Sequence, residues 1–515
     1  MKISIDRLIF SIAITGLMFT SIACSKNRLD VINPNQVTDS KYWKSEADAL
    51  AGLYGIYDAF QTNQFTGKLY REFDNVSDNA ITISGANWAE IESSFHTPIT
   101  GRVLNAWTAY YTVVNRANLV IDRVTAMEAG TISDESRKRI LAEAFFLKAY
   151  VYLDLTTLWG NVPLYDHSLS TFDNGNAASD KADIVAAMVL GLKDNVIPNL
   201  PVNIPATEKG RIGRGAAVAL LGKYYLFNND YSNAATTLAD LMTAPYTYNL
   251  YPKYDELFTQ TGEFSKESLF EINFESGGID NGESFSIRID TNVTPLVPQA
   301  YWRPTDQLVN SYLCTDGKPI ANSTVYGAAS PLYNASNPFT NRDPRFRATV
   351  FTNLDNTPGG KKVWAYTNNI KFAPKKYSMI TSTQYNGGPQ NYYMIRYAEV
   401  LLMYAEAQNE AVGADASVYT AINKVRARAG MPDCPAGLNK DVMRSYIRDE
   451  RRWEFALEHQ RYFDILRWRI ADQVIPPVGG VKAFTNPRDY LWPYPQNEMD
   501  NNPALKSQGQ NTGWQ

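Results

Sequence analysis

The chain contains few of the residues that disulfide and metal sites require. Of its 515 residues, 3 are cysteine and 3 are histidine. Cys314 and Cys434 lie far apart in the sequence, so they form either one disulfide or two separate buried thiols, and Cys24 directly follows an N-terminal apolar leader. The histidines are widely spaced and do not form the HExxH pattern of a zinc site. We therefore expect no disulfide scaffold, no metal and no cofactor.

Charge of one sign is not concentrated anywhere in the chain. There are 49 Lys and Arg residues against 53 Asp and Glu residues, which gives a net charge of −4 without a basic block. Nucleic-acid binding depends on counterion release by clustered cationic side chains, and this sequence has no such cluster. We therefore do not expect a nucleic-acid partner.

The one long apolar run, from Leu8 to Ile22, lies at the N terminus. It is interrupted by polar residues and is shorter than the roughly 20 apolar residues that span a bilayer. Residues 21–24, Ser-Ile-Ala-Cys, resemble the lipobox of bacterial lipoproteins, in which the cysteine is acylated. We predict a signal peptide over residues 1–23 and a lipid anchor on Cys24. The alternative is an ordinary secreted protein with a spare thiol.

Apolar residues recur at helical spacing over most of the remaining chain. Ser45 and Asp48 form a predicted capping pair at the start of the first such segment. The predicted helices cover 43–61, 104–121, 140–158, 181–197, 214–228, 231–243, 396–411, 415–429 and 440–472.

The predicted helices form pairs. In the pair at 214–243, Gly222 and Ala234 alternate with larger residues such as Leu238, close to the spacing of a tetratricopeptide repeat. One helix pair cannot bury its apolar face alone, so several pairs must stack. We predict a mainly α, tetratricopeptide-like scaffold of about four helix pairs, formed by residues 43–61, 102–243 and 396–472.

Two insertions interrupt this scaffold, at residues 62–101 and 244–395. Both are too long to be simple connections, so we expect them to form a loop-rich, partly β ligand face, with a strand at 270–274. The tail, 473–515, is predicted to be extended because proline residues interrupt it. Residues 24–515 thus form a single predicted domain.

Four stretches carry a family resemblance when they are taken together. They are AEAFFLKAYVYLDLTTLWGNVPL at 142–164, IRYAEVLLMYAEA at 395–407, IRDERRWEFALEHQRYFDILRW at 447–468, and the tail PYPQNEMDNNPALKSQGQNTGW at 493–514. In this order behind a lipobox, they resemble the SusD/RagB family of surface lipoproteins from Bacteroidetes. The sequence departs from the family at His459, where the family commonly has glycine.

The resemblance implies a helical-repeat scaffold with a ligand-binding face. It implies a lipid-anchored, surface-exposed protein of the cell outer membrane that acts as a lid on a SusC-like, TonB-dependent transporter. The cargo it implies is an oligosaccharide or, in some members, a peptide. By the same resemblance, segment 62–101 and the later insertion flank the sugar site.

Rings beside short polar side chains suit such a cargo, because a saccharide stacks its C–H face on Trp or Tyr and pairs its hydroxyls with polar groups. Trp88 with Asn87 is the leading predicted platform, and Tyr301 with Trp302 is the second. For each ring, packing in the core is the alternative. The predicted ligand-binding residues are Arg71, Asp78, Asn87, Trp88, Tyr301, Trp302 and Tyr326.

No predicted catalytic set emerges from the sequence. The charges between Arg448 and Asp464 alternate at helical spacing, as ion pairs along a helix do, and Glu450 is therefore assigned to the scaffold. We predict a non-catalytic glycan-binding lipoprotein that delivers oligosaccharide to a transporter. The alternatives are a secreted glycoside hydrolase, which needs two carboxylates across a cleft, and a helical-repeat scaffold that binds peptide or protein.

Overall fold

The computed structural model describes most of the chain beyond the N-terminal leader. The described residues are 42–62, 65, 69–70, 72–82, 88–169, 175–275, 287–288, 302–352, 354–355, 371–379, 388–476 and 481–514. The predicted signal peptide and Cys24 lie outside them. Among the described residues, no helix is both long enough and apolar enough to cross a membrane.

Helices dominate the described chain, as predicted. They are α1 Glu46–Gln61, α2 Ala89–Glu92, α3 Gly101–Ala126, α4 Asp134–Leu158, α5 Lys181–Gly191, α6 Arg214–Phe227, α7 Tyr231–Asp240, α8 Tyr254–Leu257, α9 Asp306–Ser311, α10 Pro344–Thr349, α11 Tyr397–Ala411, α12 Ala416–Arg428, α13 Lys440–Phe455, α14 Gln460–Arg467, α15 Ala471–Val474, α16 Gln496–Asn501 and α17 Pro503–Gln508. The strands are β1 Ala80–Thr82, β2 Val162–Pro163, β3 Ala178–Ser179, β4 Ser268–Ile272, β5 Ile287–Arg288, β6 Trp302–Pro304, β7 Val350–Phe351, β8 Ala373–Pro374, β9 Ser378–Met379 and β10 Tyr392–Arg396.

Local capping residues determine where several helices begin. Ser45 caps α1, because its Oγ accepts the backbone N–H of Asp48 at 3.3 Å, which confirms the predicted capping pair. Asp415 caps α12 in the same way, accepting the backbone N–H of Ser417 at 2.8 Å. These side chains pair backbone donors that the first turn of a helix leaves free.

The scaffold consists of helices packed on their neighbours in sequence: α3 on α4, α6 on α7, and α11 on α12, with α11 also packed on α7 and α13. Close approach of α6 and α7 is confirmed at Gly222, where a β-carbon would lie 2.5 Å from Cγ of Leu238. Ala234 is fully buried beside this contact. The mainly α fold is therefore confirmed, and its helix pairs are consistent with the predicted repeat architecture.

The single helix predicted over 440–472 is wrong, since the chain forms α13, α14 and α15 there. The first break falls between Phe455 and Gln460, where Leu457 and His459 have positive φ. The carboxylate of Asp74 accepts the backbone N–H groups of both residues, at 3.4 and 2.9 Å. A partner from a distant segment thus replaces the hydrogen bonds that a continuous helix would make.

The extended tail is also a wrong prediction, because the tail contains α16 and α17. Pro495 is the residue immediately before α16, and Pro503 occupies the start of α17. At these positions the missing proline N–H removes no intrahelical hydrogen bond.

Both insertions contribute strands to small sheets. In the first sheet β1 pairs antiparallel with β6, so that Thr82 faces Trp302 across the ribbon. In another sheet β4 pairs antiparallel with β10, which places the predicted strand at 268–272. A separate small hydrophobic core lies by the β1–β6 ribbon and includes Ala80, Tyr312 and Trp453.

Candidate functional site

The candidate site surrounds the β1–β6 ribbon, because this ribbon joins the two segments that the sequence selected. Thr82 faces Trp302 and Ile81 faces Arg303. Trp302 is described only through its backbone. The two predicted ligand segments, far apart in sequence, are thus brought side by side.

Thr305 anchors the ribbon at the end of β6. Its backbone N–H donates to the carbonyl of Asn79 at 3.0 Å, and its hydroxyl donates to the carbonyl of Asp78 at 2.9 Å. The same hydroxyl oxygen accepts the backbone N–H of Leu308 at 3.0 Å and so caps α9. One side chain therefore ties together the start of β1, the end of β6 and the following helix.

Asp78 is part of this buried support and does not face a ligand. Arg461 donates to its carboxylate at 2.7 Å, and Arg452 forms a second ion pair with it at 2.9 Å. Burial opposes ionisation of Asp78, but the two guanidinium groups outweigh it and lower its pKa to about 2. Asp78 was predicted to contact ligand directly, and its full burial contradicts that placement.

A buried lysine also belongs to this support. The ammonium of Lys482 donates to the carbonyl of Ser77 at 2.6 Å and pairs with Glu92 at 3.4 Å. Burial lowers the pKa of Lys482 to about 8, and Glu92 partly restores it. Glu92 also accepts the backbone N–H of Thr82 at 3.2 Å, so the ammonium is linked to β1 through one carboxylate.

Trp88 lies in the core, and the prediction of an exposed ring there is wrong. Its side chain is 1% exposed. Its indole N–H donates to Glu72, and the guanidinium of Arg102 lies 5.0 Å from its ring centroid. The ring packs on Phe73 at 5.5 Å and Trp492 at 6.2 Å. Since its polar tip is paired and its faces are covered, it has no surface for stacking.

Tyr326 is half-buried and packs on α13. Its hydroxyl donates to Asp449 at 2.8 Å, and its ring centroid lies 4.5 Å from that of Tyr446 and 5.8 Å from that of Trp453. The structure therefore gives Tyr326 a packing role and leaves only part of its ring accessible.

Arg71, Asn87 and Tyr301 lie outside the described residues, and their roles stay predictions. No sequence pattern indicated a role for Thr82 or Gln307, two polar residues close to the ribbon. Oγ1 of Thr82 and Oε1 of Gln307 are buried and have no hydrogen-bond partner among the described residues. Such oxygens could be found only once the packing around them was known.

The charge-dense helices α13 and α14 belong to the scaffold, as predicted, but most of their buried ion pairs reach other segments and do not run along the helix. Glu450 pairs with Arg345 at 2.6 Å and with Arg426 at 2.9 Å, and all three side chains are buried. Because its oxygens are already occupied, Glu450 acts as a scaffold residue. Cys314 and Cys434 are free, buried thiols, so the disulfide alternative is excluded. Within the described ranges, no three His, Cys, Asp or Glu side chains lie close enough to hold a metal ion.

Two family profiles match this chain. The profile described as "SusD family" matches residues 266–514, and the one described as "Starch-binding associating with outer membrane" matches residues 27–226. SusD-like protein P25 of Formosa agariphila is 24% identical over 512 residues, covering 93% of this chain and 94% of that protein. A SusD-like protein of Bacteroides ovatus is 24% identical over 488 residues, covering 91% and 83%.

Solved structures share the fold over nearly their whole length. A SusD-like carbohydrate binding protein from Bacteroides fragilis has a TM-score of 0.79 at 26% identity, covering 90% of this chain and 99% of that one. A laminarin binding SusD-like protein has a TM-score of 0.69 at 25% identity, covering 92% and 100%. Surface glycan-binding protein A from Bacteroides thetaiotaomicron, 22% identical, has the same fold with a TM-score of 0.73, covering 92% and 100%.

Proposed function

The chain belongs to the SusD family, and on that premise we propose that it is a non-catalytic, surface-exposed glycan-binding lipoprotein of the outer membrane. It captures oligosaccharide and delivers it to a SusC-like, TonB-dependent transporter. Acylation of Cys24 after removal of residues 1–23 holds it at the membrane. An oligosaccharide is the favoured cargo, and a peptide is the alternative.

The observation that carries this proposal is the β1–β6 pairing. It brings Thr82 opposite Trp302, and so joins the segment that precedes Asn87 to the segment that follows Tyr301. The ribbon rests on buried ion pairs, which hold its backbone before any ligand arrives. Pre-organisation of this kind reduces the entropy lost on binding. The carbohydrate- and laminarin-binding relatives with 25–26% identity support the cargo class.

Binding at this site uses stacking and hydrogen bonds without covalent chemistry. Trp302 and Tyr301 supply flat apolar faces, while Arg71, Asn87 and Arg303 pair with sugar hydroxyls. A few such contacts correspond to a Kd of roughly µM to mM, or about −8 to −4 kcal/mol. Affinity in this range allows release of the cargo to the transporter.

The test is a glycan array and affinity electrophoresis with the mature domain, including laminarin and starch as probes. Trp302→Ala should abolish binding of the glycan that wild type retains. Tyr246→Ala is the control, because this ring stacks on Tyr248 beside the helical scaffold. Absence of wild-type binding to every glycan would overturn the proposal, and release of sugar products would favour the glycoside hydrolase.

A further inference from the structure

A groove lies away from the β1–β6 ribbon. Two cavities, of about 310 and 180 Å³, share Lys209, Gly210 and Arg211 in their linings. Tyr54 lines the larger cavity and Phe264 lines the smaller one. No residue of β1 or β6 contributes to either lining. We call this continuous surface the Lys209 groove.

The floor of the Lys209 groove is closely packed at Gly210. This residue has a φ of +94°, and a β-carbon there would lie 1.8 Å from Nδ2 of Asn273. Gln61 donates its side-chain N–H to the carbonyl of Asn273 at 2.5 Å. The positive φ and the close side-chain amide of Asn273 both favour glycine at this position of the floor.

One wall of the groove consists of arginine and glutamate side chains that form ion pairs with each other. Arg211 pairs with Glu143 and with Glu208, each at 2.7 Å, and Arg139 pairs with Glu208 at 2.7 Å. The hydroxyl of Tyr57 donates to Glu143 at 2.8 Å. Because each carboxylate already faces an arginine, this wall presents little uncompensated negative charge to a ligand.

Two polar groups of the smaller cavity, Glu271 and Lys209, are available to bind a ligand. Glu271 is 4% exposed, and although its Oε1 accepts the backbone N–H of Phe264 at 2.7 Å, its Oε2 has no partner among the described residues. Burial raises the pKa of Glu271 to about 8, so this carboxyl carries a proton at neutral pH. The exposed ammonium of Lys209 lies 5.8 Å from the ring centroid of Phe264, and no carboxylate of the described chain forms an ion pair with it. The carboxyl of Glu271 therefore has one oxygen without a partner in the described chain, and the solvent-exposed ammonium of Lys209 has no carboxylate partner there.

Exposed rings lie in both parts of the groove. Tyr54 is 50% exposed and Phe264 is 41% exposed. Hydroxyl and amide groups from Ser265, Ser268 and Gln61 line the space with them. Flat apolar rings beside short polar side chains match a saccharide, which has C–H faces and a rim of hydroxyls.

We propose that the Lys209 groove is a second saccharide site that binds an acidic oligosaccharide, whose carboxylate accepts hydrogen bonds from Lys209 and from the carboxyl of Glu271. Tyr54 and Phe264 stack on its sugar rings. A carboxylate satisfies both donors of the smaller cavity, whereas a neutral sugar leaves the Lys209 charge unpaired. This inference rests on the proposed glycan-binding function and adds a second site and a charge class to it.

The test is calorimetric titration of the full mature chain with oligogalacturonate and oligomannuronate, and with laminarin oligosaccharides as a neutral probe. Lys209→Ala should weaken binding of the acidic probe at least about tenfold, since one charge-assisted hydrogen bond is lost. Lys138→Ala is the matched control, because Lys138 is an exposed lysine on α4 outside the groove. The double variant Tyr54→Ala/Phe264→Ala should also lose the acidic probe while retaining wild-type binding of any neutral glycan at the ribbon.

Each outcome separates this inference from the proposed function. Wild-type binding of neutral glycans but of neither acidic probe would overturn the second site and leave the function intact. Equal binding of the acidic probe by wild type and Lys209→Ala would also overturn it, and Lys209 is exposed, so unfolding would not obscure the result. Binding of oligoglutamate without any saccharide would identify the groove as a peptide site and contradict the inference. Failure of wild type to bind any glycan would remove both proposals.

Discussion

His459 has a left-handed backbone, with φ of +64°, and donates its backbone N–H to Oδ2 of Asp74 at 2.9 Å. Its ring is buried, and Nδ1 lies 3.0 Å from the hydroxyl of Tyr392, within hydrogen-bond distance. Burial, with the charge of Lys223, keeps the pKa of His459 well below 6.5. The residue therefore occupies a position that suits glycine, and its neutral ring is held by local partners.

This strain predicts an unusual order of stability for two variants. Both His459→Ala and His459→Gly remove the ring, but only glycine relieves the left-handed backbone. We expect His459→Gly to exceed His459→Ala by about 0.5–1 kcal/mol in the free energy of unfolding, measured by urea titration. Lys138 lies in regular helix and serves as the control, so there the order should reverse: Lys138→Ala should be more stable than Lys138→Gly. A more stable alanine variant at position 459 would mean that the backbone there is not strained.

Gly222 should tolerate no larger side chain. A β-carbon at this position already meets Leu238 at 2.5 Å, so Gly222→Leu overpacks α6 against α7 and should cost about 1–3 kcal/mol or more. Gly55→Leu is the control, because a β-carbon at Gly55 has no neighbour within 4 Å. Equal melting temperatures for the two variants would contradict the close helix packing.

Trp88→Ala should behave as a core substitution. Removal of a fully buried indole costs about 3–5 kcal/mol and leaves Glu72 without one of its donors. Thermal unfolding monitored by circular dichroism should show the loss, and glycan affinity at temperatures where the variant is folded should stay close to wild type. If the variant instead kept the wild-type melting temperature and lost glycan affinity, Trp88 would be a ligand-binding residue and not a core residue.

Glu271 should make stability fall as pH rises. Its pKa is raised from 4.5 to about 8 in the folded chain, so its contribution is full below about pH 4.5 and is lost as pH rises through 8. Between pH 5 and 8.5, wild type should lose about 3–5 kcal/mol relative to Glu271→Gln, which cannot ionise. Comparing the two proteins at each pH cancels every other titrating group. Parallel stability profiles would show that Glu271 ionises normally.

Cys24→Ala should release a folded protein from the membrane. The lipid anchor is the proposed attachment, and removing its acceptor thiol leaves the remaining domain unchanged. Cell fractionation should move the variant from the membrane to the soluble fraction. Membrane retention at the wild-type level would exclude acylation of Cys24 as the anchor.

The sequence alone was sufficient for properties that depend on near neighbours in the chain. Helical spacing and the Ser45 cap located the scaffold helices, and the small residue at position 222 marked a close helix contact. Alternating charges indicated a scaffold role for α13, although its glutamates pair with arginines from other segments. Each of these signals lies within a few turns of helix, where side-chain geometry follows directly from residue spacing.

Only the tertiary structure decided which polar and aromatic residues are buried. Trp88 is covered by Trp492, and Asp78 is neutralised by Arg452 and Arg461, all contributed by distant parts of the chain. The helix break at His459 likewise depends on Asp74. A local sequence pattern indicates that a side chain is amphipathic or charged. Whether that side chain is buried, and which residue it pairs with, depends on long-range contacts that form when the whole chain packs.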